Sequence, residues 1–485
     1  MARVVVLGAG ISGHTAALHL RRKLDKVHQV VVVSPNSKWN WIPSNIWVGV
    51  GKMTTAQVSF PLAPIYRRTG IEFHQALGVA IHPEGDNDHA RPYVEITYTD
   101  PTRSGQTDSL DYDYLINATG PKLNFAATPG LGPDGNTVSV CTPGHAVAAA
   151  ADLAQVIERL KQGQRQTLVI GVGHGTCTCE GAAFEYTFNV EHELRQAGVR
   201  DLADVVYLTN EEALGDFGVG GMTFSHKGVQ TTSKTWTESL FRERGVRAIL
   251  QAHVERIEPG VIHYEQLDGT HGALPFDFAM LLPPFRGADL SAFDASGSDI
   301  TSEMFAPSGF MKVDADYTTK PYAKWRAEDW PSTYRTPGYP NVFGIGIAFA
   351  PPHQISQPHT SPNGTLIAPA PPRTGMPSGV MGRTVAQTIT DLVQGRSNAH
   401  PHTASMAAMG AACVASAGTG IRRGTAAAMT MYPVVPDYEK YPGTGRSATD
   451  TTGEIGLAAH WIKAVLHHLF IYKAKARPGW FLIPE

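Results

Sequence analysis

The 485-residue sequence contains few charged residues, few cysteines and no long apolar run. Charged residues make up 17% of the chain, against roughly a quarter in an average soluble protein. Forty Lys and Arg residues against 43 Asp and Glu residues give a net charge of −3, which argues against a nucleic-acid partner. No segment has the roughly 18 consecutive apolar residues of a membrane-spanning helix. The N-terminus leads directly into a strand-like segment, so no signal peptide is expected.

Four cysteines are too few for a disulfide scaffold in a chain of this length. Each cysteine is therefore either a buried thiol or a reactive group. The length indicates two or three domains, and a hydrophobic content of 42% suffices for their cores.

The first 33 residues predict a strand, a glycine turn, a helix and a second strand. Continuous apolar runs at 4–7 and 30–33 are typical of a parallel sheet covered on both faces. In the turn, Gly8 permits a tight bend, Gly10 lets the backbone approach a pyrophosphate, and Gly13 lets the helix pack on the strand. We therefore predict a dinucleotide site here.

One element of the usual dinucleotide pattern is missing. An acidic residue normally follows the second strand and binds the ribose, whereas this chain has Ser34 and Asn36 there. Either Ser34 or Asn36 supplies a neutral hydrogen bond, or the ribose is held differently. A further short strand, about 105 residues after the glycine turn, ends in Ala118, Thr119 and Gly120. Flavoproteins with two dinucleotide domains use such a strand end to bring the chain back under the FAD. This favours FAD over a nicotinamide at the first site.

A second strand and glycine turn begin at residues 167–175, with a helix predicted from about 180 to 196. In a two-dinucleotide reductase this turn would hold NAD(P)H, with Glu211 and Glu212 near its ribose. Cys177 and Cys179 lie where the turn enters the helix, and a helix N-terminus favours the thiolate form. The alternative is that both are small buried residues. The two cysteines and the nearby histidine are too few ligands for a zinc ion, so no metal is predicted.

Residues 350–378 are rich in Pro, Ser and Thr, and we predict a long ordered loop there.

The C-terminal segment differs in composition from the rest of the chain. No acidic residue occurs between 455 and 484, and apolar residues at 461, 465, 466 and 469 share one helical face. Such a basic amphipathic helix is typical of a membrane interface, with its lysines directed toward anionic lipid. The basic residues in question are Lys463, Lys473, Lys475 and Arg477. The alternative is a helix packed on the protein core or on a dimer partner.

Several segments resemble the sulfide:quinone oxidoreductase family. Residues 179–186 (CEGAAFEY) look like its cysteine helix, residues 140–146 (VCTPGHA) its first-cysteine segment, and residues 411–413 (AAC) its third cysteine. Residues 282–287 (LPPFRG), 344–348 (GIGIA) and 372–375 (PRTG) resemble further segments of that family. The resemblance extends over nearly the whole chain.

The resemblance implies an α/β fold of two tandem Rossmann-like dinucleotide-binding domains, as in disulfide-reductase-like flavoproteins, with a C-terminal amphipathic membrane-associating region. The expected parts are a first part of the FAD-binding domain (1–150), a second Rossmann-like domain carrying a redox cysteine (151–285), a return to the FAD-binding domain (286–400), and a C-terminal region with the third cysteine and the amphipathic segment (401–485).

The resemblance also implies roles for individual residues. Cys179 and Cys413 would form the redox-active pair, often bridged by sulfur in the family, and Glu185 would be the base for hydrogen sulfide. Cys141, with His145 nearby, would assist polysulfide transfer or release, or would attach the flavin covalently as in some members of the family, whereas Cys177 has no counterpart. The residues expected to bind FAD are Gly8, Gly10, Gly13, Ser34, Ala118, Thr119, Gly120, Gly346, Arg373 and Thr374. Arg373 stands where the family has a lysine.

The implied activity is oxidation of sulfide to sulfane sulfur or polysulfide, with electrons passing through FAD to a membrane quinone. The protein would then be a peripheral or monotopic membrane protein, and a homo-oligomer is one option. Alternatives are a type II NADH:quinone oxidoreductase, a soluble sulfide dehydrogenase with a cytochrome acceptor, and an FAD-binding sensor with little turnover.

Overall fold

The computed structural model describes residues 1–178, 180–226, 229–372, 374–396, 401–418 and 424–485. Its helices are α1 (Ile11–Lys23), α2 (Asn45–Gly49), α3 (Thr55–Val58), α4 (Ala63–Thr69), α5 (Pro143–Lys161), α6 (Glu180–Gln196), α7 (Ser233–Arg244), α8 (Thr301–Met304), α9 (Gly375–Val393) and α10 (Leu457–Ala474).

The first large sheet is built around the N-terminal strand. Its six strands, in spatial order, are Arg335–Thr336, Tyr339–Gly344, Tyr114–Asn117, Arg3–Leu7, Gln29–Val33 and Glu72–His74. The strand Arg3–Leu7 pairs in parallel with Gln29–Val33 on one side and with Tyr114–Asn117 on the other. Helix α1 packs against α9, so a segment late in the chain returns to the first sheet. The predicted strand, glycine turn, helix and strand are all present.

A second sheet follows the same pattern. Its four strands, in spatial order, are Arg247–Ile249, Ala203–Leu208, Gln166–Val172 and Phe278–Leu282, and all their pairings are parallel. The helix predicted at about 180 to 196 is α6, which packs against the central strand Gln166–Val172. The central strands of both sheets consist of β-branched and leucine-rich runs that are almost fully buried, as expected for sheets covered on both faces.

A third, five-stranded sheet lies in the C-terminal part. Its strands, in spatial order, are Val229–Thr232, Thr223–His226, Thr452–Gly456, Thr425–Met431 and Ala411–Ala417. Its edge strand Ala411–Ala417 packs on α6, and α10 covers the neighbouring strands. This sheet therefore joins the C-terminal region to the second parallel sheet.

The remaining strands form smaller sheets. A four-stranded sheet contains Ser291–Ala292, Ala76–His82, Tyr93–Tyr98 and Thr107–Asp111, and a three-stranded sheet contains Ala252–Glu258, Val261–Gln266 and His271–Pro275. Three strand pairs complete the list: Lys122–Leu123 with Phe285–Arg286, His359–Thr360 with Leu366–Ile367, and Lys38–Asn40 with Ser59–Pro61. The four domain boundaries expected from the sequence stay a prediction.

Candidate functional site

The first glycine turn has the geometry of a dinucleotide cradle. Gly8 has φ +96°, and a methyl group there would lie 2.2 Å from the carbonyl oxygen of Ala118. A methyl group on Gly13 would lie 2.1 Å from the Gly8 oxygen, whereas one on Gly10 would meet no atom of the described chain within 4 Å. Gly8 and Gly13 therefore pack tightly against the protein, whereas the space beside Gly10 is free of described atoms. Helix α1 begins after Gly10 without a side-chain cap. Free N–H groups at such a helix start favour an anion such as a pyrophosphate.

Neighbouring residues complete this cradle. Ala118 is buried, and Thr119 donates hydrogen bonds from its backbone N–H (3.2 Å) and its hydroxyl (2.8 Å) to the Asn117 side chain. Gly120 has φ +72°, and nothing of the described chain lies within 4 Å of a methyl group placed there. Gly346 lies so close to α1 that a methyl group on it would approach the Ser12 hydroxyl to 2.3 Å.

Two further predicted cofactor residues flank regular elements, Ser34 after the strand Gln29–Val33 and Thr374 before α9. Ser34 is buried after the strand Gln29–Val33, and its hydroxyl accepts a 3.3 Å hydrogen bond from the Asn36 N–H. Thr374 precedes α9, and its buried hydroxyl has no hydrogen-bond partner among the residues described. An unsatisfied buried hydroxyl at a helix start suits a polar ligand group, which fits FAD. Arg373 lies outside the described residues.

The candidate redox centre lies where the strand Ala411–Ala417 crosses the start of α6. A methyl group placed on Gly181 would lie 3.0 Å from the Cys413 Sγ. Cys413 therefore sits against the first turn of the helix that begins directly after Cys179, which itself lies outside the described residues. Burial, together with the nearby Glu185 carboxylate, raises the pKa of the Cys413 thiol to about 11, while Lys463 opposes the shift.

Glu185 connects this centre to α10. Its carboxylate is buried and accepts hydrogen bonds from the Ser416 N–H (3.1 Å) and hydroxyl (2.6 Å), on the strand that carries Cys413. The Lys463 ammonium lies 2.6 Å from the same carboxylate and also donates to the Val414 oxygen at 3.1 Å. These three donors fix the position of the Glu185 carboxylate beside the strand that carries Cys413.

The burial of Lys463 contradicts the expected orientation of the C-terminal lysines. Lys463 faces Glu185, and Lys473 lies 2.7 Å from the buried carboxylate of Glu485, so neither points toward lipid. Sequence reasoning therefore missed Lys463 as a site residue. The signal available was a polar stripe at helical spacing, because His460, Lys463 and His467 are all buried on the inner face of α10.

The outer face of α10 is apolar, as expected for an interfacial helix. The side chains of Trp461, Ile462, Val465 and Leu469 are between 40% and 52% exposed. The helix is thus apolar outward and polar inward, the reverse of an ordinary surface helix. In the described part of the chain, no helix combines the length and the apolar character needed to cross a membrane.

Cys141 and His145 lie on either side of the start of α5. Burial raises the pKa of the Cys141 thiol to about 11 and lowers that of His145. Val140, the residue before Cys141, and Tyr186 of α6 both lie next to Gly49: a methyl group placed on Gly49 would be 2.7 Å from the Val140 side chain and 2.9 Å from the Tyr186 ring. The Cys141 segment therefore lies near α6, and its role stays a prediction.

Cys177 is held in the core, which favours the buried-thiol interpretation. Its side chain is 0% exposed, and its Sγ donates to the Leu282 carbonyl oxygen at 3.1 Å. A thiol in this position is poorly accessible to a soluble reactant.

The second glycine turn is covered by the chain's own loop. The Ala368 N–H donates to the Gly175 oxygen at 2.8 Å, and the Ala370 N–H donates to the Cys177 oxygen at 2.9 Å. A methyl group on Gly175 would lie 2.7 Å from the Leu366 oxygen. The segment expected to be a loop at 350–378 instead contains the paired strands His359–Thr360 and Leu366–Ile367, and α9 already begins at Gly375; its residues 366–370 lie over the turn.

Glu211 is not positioned to bind a ribose, contrary to the sequence-based expectation. It is fully buried and accepts hydrogen bonds from the Tyr207 hydroxyl (3.0 Å), the Thr209 hydroxyl (2.9 Å) and the Phe217 N–H (2.8 Å).

Comparison with known proteins assigns the family. The model of the pyridine nucleotide-disulphide oxidoreductases matches residues 2–282, more than half of the chain. The chain belongs to this family. Its paired parallel sheets, its glycine turns and the return of α9 to the first sheet agree with that assignment.

Individual relatives of this pyridine nucleotide-disulphide oxidoreductase agree with the resemblance found in the sequence. A sulfide-quinone reductase of Aquifex aeolicus is 27% identical over 472 residues, which cover 97% of this chain and 91% of that protein. The X-ray structure of the sulfide:quinone oxidoreductase from Aquifex aeolicus has a TM-score of 0.73 at 25% identity, covering 98% of this chain and 92% of that one. NDH2 from Plasmodium falciparum, in complex with NADH, shares the fold with a TM-score of 0.63 at 12% identity, over 99% and 97% of the two chains.

These findings confirm three expectations from the sequence: the resemblance itself, the α/β fold with two dinucleotide-binding units, and FAD as the cofactor. The chain is an FAD-dependent oxidoreductase. The roles of the individual cysteines, of Glu185 and of the FAD-binding residues stay predictions.

Proposed function

We propose that this FAD-dependent oxidoreductase is a sulfide:quinone oxidoreductase. The observation that carries the proposal is the position of Cys413, whose Sγ lies against Gly181 at the start of the helix that follows Cys179. Cys413 thereby lies at the start of the helix that follows Cys179 in the chain, and Glu185 of the same helix accepts a hydrogen bond from Ser416 on the Cys413 strand. The overall likeness to the Aquifex aeolicus enzyme supports the same activity.

The proposed chemistry uses the protein's own groups in sequence. Sulfide attacks a sulfur atom bridging Cys179 and Cys413, so a new S–S bond forms and the bond to one cysteine breaks, leaving that cysteine as a thiolate. The Glu185 carboxylate takes the proton of the incoming hydrogen sulfide. This exchange is redox-neutral; the two-electron oxidation occurs when the released thiolate and the terminal sulfur of the bound chain form an S–S bond again with loss of the S–H proton, and FAD, when bound, would supply the acceptor for those two electrons. Cys141 then assists transfer of the growing sulfane sulfur chain.

The quinone acceptor and the membrane are part of the same proposal. A quinone is apolar, so the enzyme must meet it at the bilayer, and the exposed side chains of Trp461, Val465 and Leu469 give α10 an apolar outer face. A helix of this kind lies in the interface and does not span the bilayer. We therefore propose peripheral membrane association through α10.

The covered second glycine turn argues against the alternative of an NADH:quinone oxidoreductase. The segment that lies over Gly175 and Cys177 packs closely on this turn, and we infer that it leaves little room for a nicotinamide dinucleotide there. The buried and fully hydrogen-bonded Glu211 is equally unsuited to a ribose.

Anaerobic flavin spectroscopy tests the proposal. Sulfide should bleach the flavin absorbance of the holoenzyme, a short-chain quinone should restore it, and NADH should leave it unchanged. Cys413→Ser should abolish the bleaching by sulfide, whereas Cys177→Ser, the matched control, should retain it. Reduction by NADH but not by sulfide, or full activity of the Cys413→Ser variant, would refute the assignment.

A further inference from the structure

The Lys463 ammonium is anchored at the backbone of the strand that carries Cys413. It lies 2.6 Å from the Glu185 carboxylate and donates to the Val414 carbonyl oxygen at 3.1 Å. Val414 follows Cys413 directly in the chain, so the ammonium is held at the residue next to the cysteine. The Lys463 side chain is 9% exposed, so solvent screens its charge much less than that of a surface lysine.

Trp47 of α2 encloses this ion pair from another side. Its indole N–H donates to the Ser416 hydroxyl at 3.0 Å, and the same hydroxyl donates to the Glu185 carboxylate at 2.6 Å. The centre of the Trp47 ring lies 5.6 Å from the Lys463 Nζ, within the range of a cation–π contact. Side chains from α2, α6 and α10 thus fix one ion pair beside the strand that carries Cys413.

The two partners of this ion pair have opposite effects on Cys413. Glu185 and Lys463 are the charged groups that act on its thiol. Burial raises the pKa of this thiol most, the Glu185 carboxylate raises it further, and the Lys463 ammonium lowers it. The physical reason is that a carboxylate repels a nearby thiolate, whereas an ammonium attracts it.

The other titratable side chains on this face of α10 are His460 and His467. Their ring centres lie 6.3 Å and 6.1 Å from the Trp47 ring. Burial is the main cause that lowers the pKa of His467 to about 4, so this histidine is uncharged near neutral pH. Neither α2 nor the strand Thr425–Met431, which pairs with the Cys413 strand, carries a titratable side chain.

We propose that Lys463 is a positioning residue of the cysteine centre. Its ammonium offsets the Glu185 carboxylate, so that a base and a Cys413 thiolate can occupy one buried site. The proposal rests on the proposed function in taking the thiolate as the form that leaves the sulfur bridge. Lys463 forms and breaks no covalent bond in this role.

Alkylation of the reduced holoenzyme by iodoacetamide tests the proposal. The rate at Cys413, followed by peptide mass spectrometry at about pH 8, reports the thiolate fraction, because the thiolate is the nucleophile. Lys463→Met should slow this rate roughly 3- to 10-fold, and Glu185→Gln should raise it by a similar factor, the effect of about half to one pKa unit in each direction. Lys463→Arg keeps the charge and should restore nearly the wild-type rate.

Lys473→Met is the matched control. It removes another buried lysine of α10 from its carboxylate partner, Glu485, at 2.7 Å. Lys473 lies about ten residues, or about 15 Å, further along the helix than Lys463. This variant should melt at a lower temperature than wild type and still be alkylated at Cys413 at the wild-type rate.

A double variant keeps the test decisive if Lys463→Met folds poorly. In Lys463→Met combined with Glu185→Gln no charge is left unpaired, and the rate at Cys413 should fall between those of the two single variants. Equal rates in wild type, Lys463→Met and Glu185→Gln would overturn the proposal. Equal slowing by Lys463→Met and Lys473→Met would also overturn it, because lost packing would then explain both.

This test and that of the proposed function can fail separately. The alkylation assay needs no sulfide turnover, so failure of sulfide to bleach the wild-type flavin would refute the proposed function and leave the rates at Cys413 interpretable. Bleaching by sulfide together with unchanged rates in the Lys463 and Glu185 variants would refute the role of Lys463 alone.

Discussion

The Lys463 ammonium on α10 lies 2.6 Å from the Glu185 carboxylate on α6, and both side chains are over 90% buried. The pair joins the helix with the apolar outer face to the helix at the candidate cysteine centre, and Ser416 ties the same carboxylate to the strand that carries Cys413. A shift of α10 would therefore change the surroundings of Glu185, a predicted site residue.

Removal of Lys463 should be strongly destabilising. Lys463→Met leaves the Glu185 carboxylate buried without its counter-charge, which should lower the free energy of unfolding by about 3–5 kcal/mol. Thermal melting followed by circular dichroism measures this loss. In Lys463→Met combined with Glu185→Gln most of the loss should be recovered, since no charge remains unpaired.

Lys161→Met is the matched control for this prediction. Lys161 forms an exposed pair with Glu158 at 2.7 Å, and exposed pairs contribute about 0–1 kcal/mol. Equal destabilisation by Lys161→Met and Lys463→Met would contradict the prediction, because it would show that the buried pair stabilises the protein no more than an exposed pair does.

The glycine turn gives a second prediction, on cofactor binding. Gly8→Ala combines a φ of +96° with a methyl group 2.2 Å from the Ala118 oxygen, so it should lower both the melting temperature and the flavin content. Gly10→Ala meets no described atom of the chain, so the apoprotein should keep its fold and lose affinity for FAD. Fluorescence titration of apoprotein with FAD measures the affinity. Wild-type FAD affinity in Gly10→Ala would show that the cofactor does not approach Gly10.

The sequence predicts those parts of the fold whose signals lie close together in the chain. The two strand and helix units were predictable because their signals, the apolar runs and the glycines at 8, 10 and 13, lie within a few residues of one another. The bounds of α6 were also predictable, since its helical pattern begins directly after a glycine turn. These features predict the glycine turn of the dinucleotide cradle from local sequence, whereas Ala118 and Gly346, which pack on it, come from distant segments.

Contacts between distant segments could not be predicted in this way. Lys463 and Glu185 are 278 residues apart, and the segment that covers Gly175 lies nearly 200 residues further along the chain. The sequence predicted an amphipathic α10 correctly but placed its lysines outward, because the periodicity shows that two faces differ and does not show which face is buried. The buried partner, Glu185, decides that orientation.

The buried Glu180 gives a third prediction, on the pH dependence of stability. Its pKa is raised in the folded protein, so between the ordinary Glu value of about 4.3 and the folded value the native state retains a proton that the unfolded state has lost. The stability that the protonated Glu180 side chain contributes is therefore fully present below about pH 4.3. As the pH rises, this group lowers the free energy of unfolding by up to about 1.4 kcal/mol per pH unit. Glu180→Gln should remove this loss.

Melting temperatures measured at several pH values between about 5 and 8 test this prediction. The stability of Glu180→Gln relative to wild type should increase steadily with pH, whereas Glu193→Gln should show no such trend, since Glu193 is paired with Lys52. A constant difference between wild type and Glu180→Gln would indicate that Glu180 is ionised throughout.

The inverted polarity of α10 gives the last prediction, on membrane binding. Val465→Ser with Leu469→Ser removes two apolar side chains that are 52% and 40% exposed, so the partition coefficient onto lipid vesicles should fall at least about 10-fold. Val147→Ser on α5, where the side chain is 49% exposed, is the matched control and should bind as wild type does. Co-sedimentation with vesicles measures both variants.

The salt dependence of that binding separates the apolar contribution from the electrostatic one. Lys463 and Lys473 are turned inward to Glu185 and Glu485, so they cannot contact anionic headgroups while the helix is folded in this way. Binding should therefore differ little between zwitterionic and anionic vesicles, and little between low and high salt, because apolar burial is not screened by ions. Strongly salt-sensitive binding would instead mean that Lys475 and Arg477, which follow α10, attach the protein to lipid and that the apolar face of α10 contributes little.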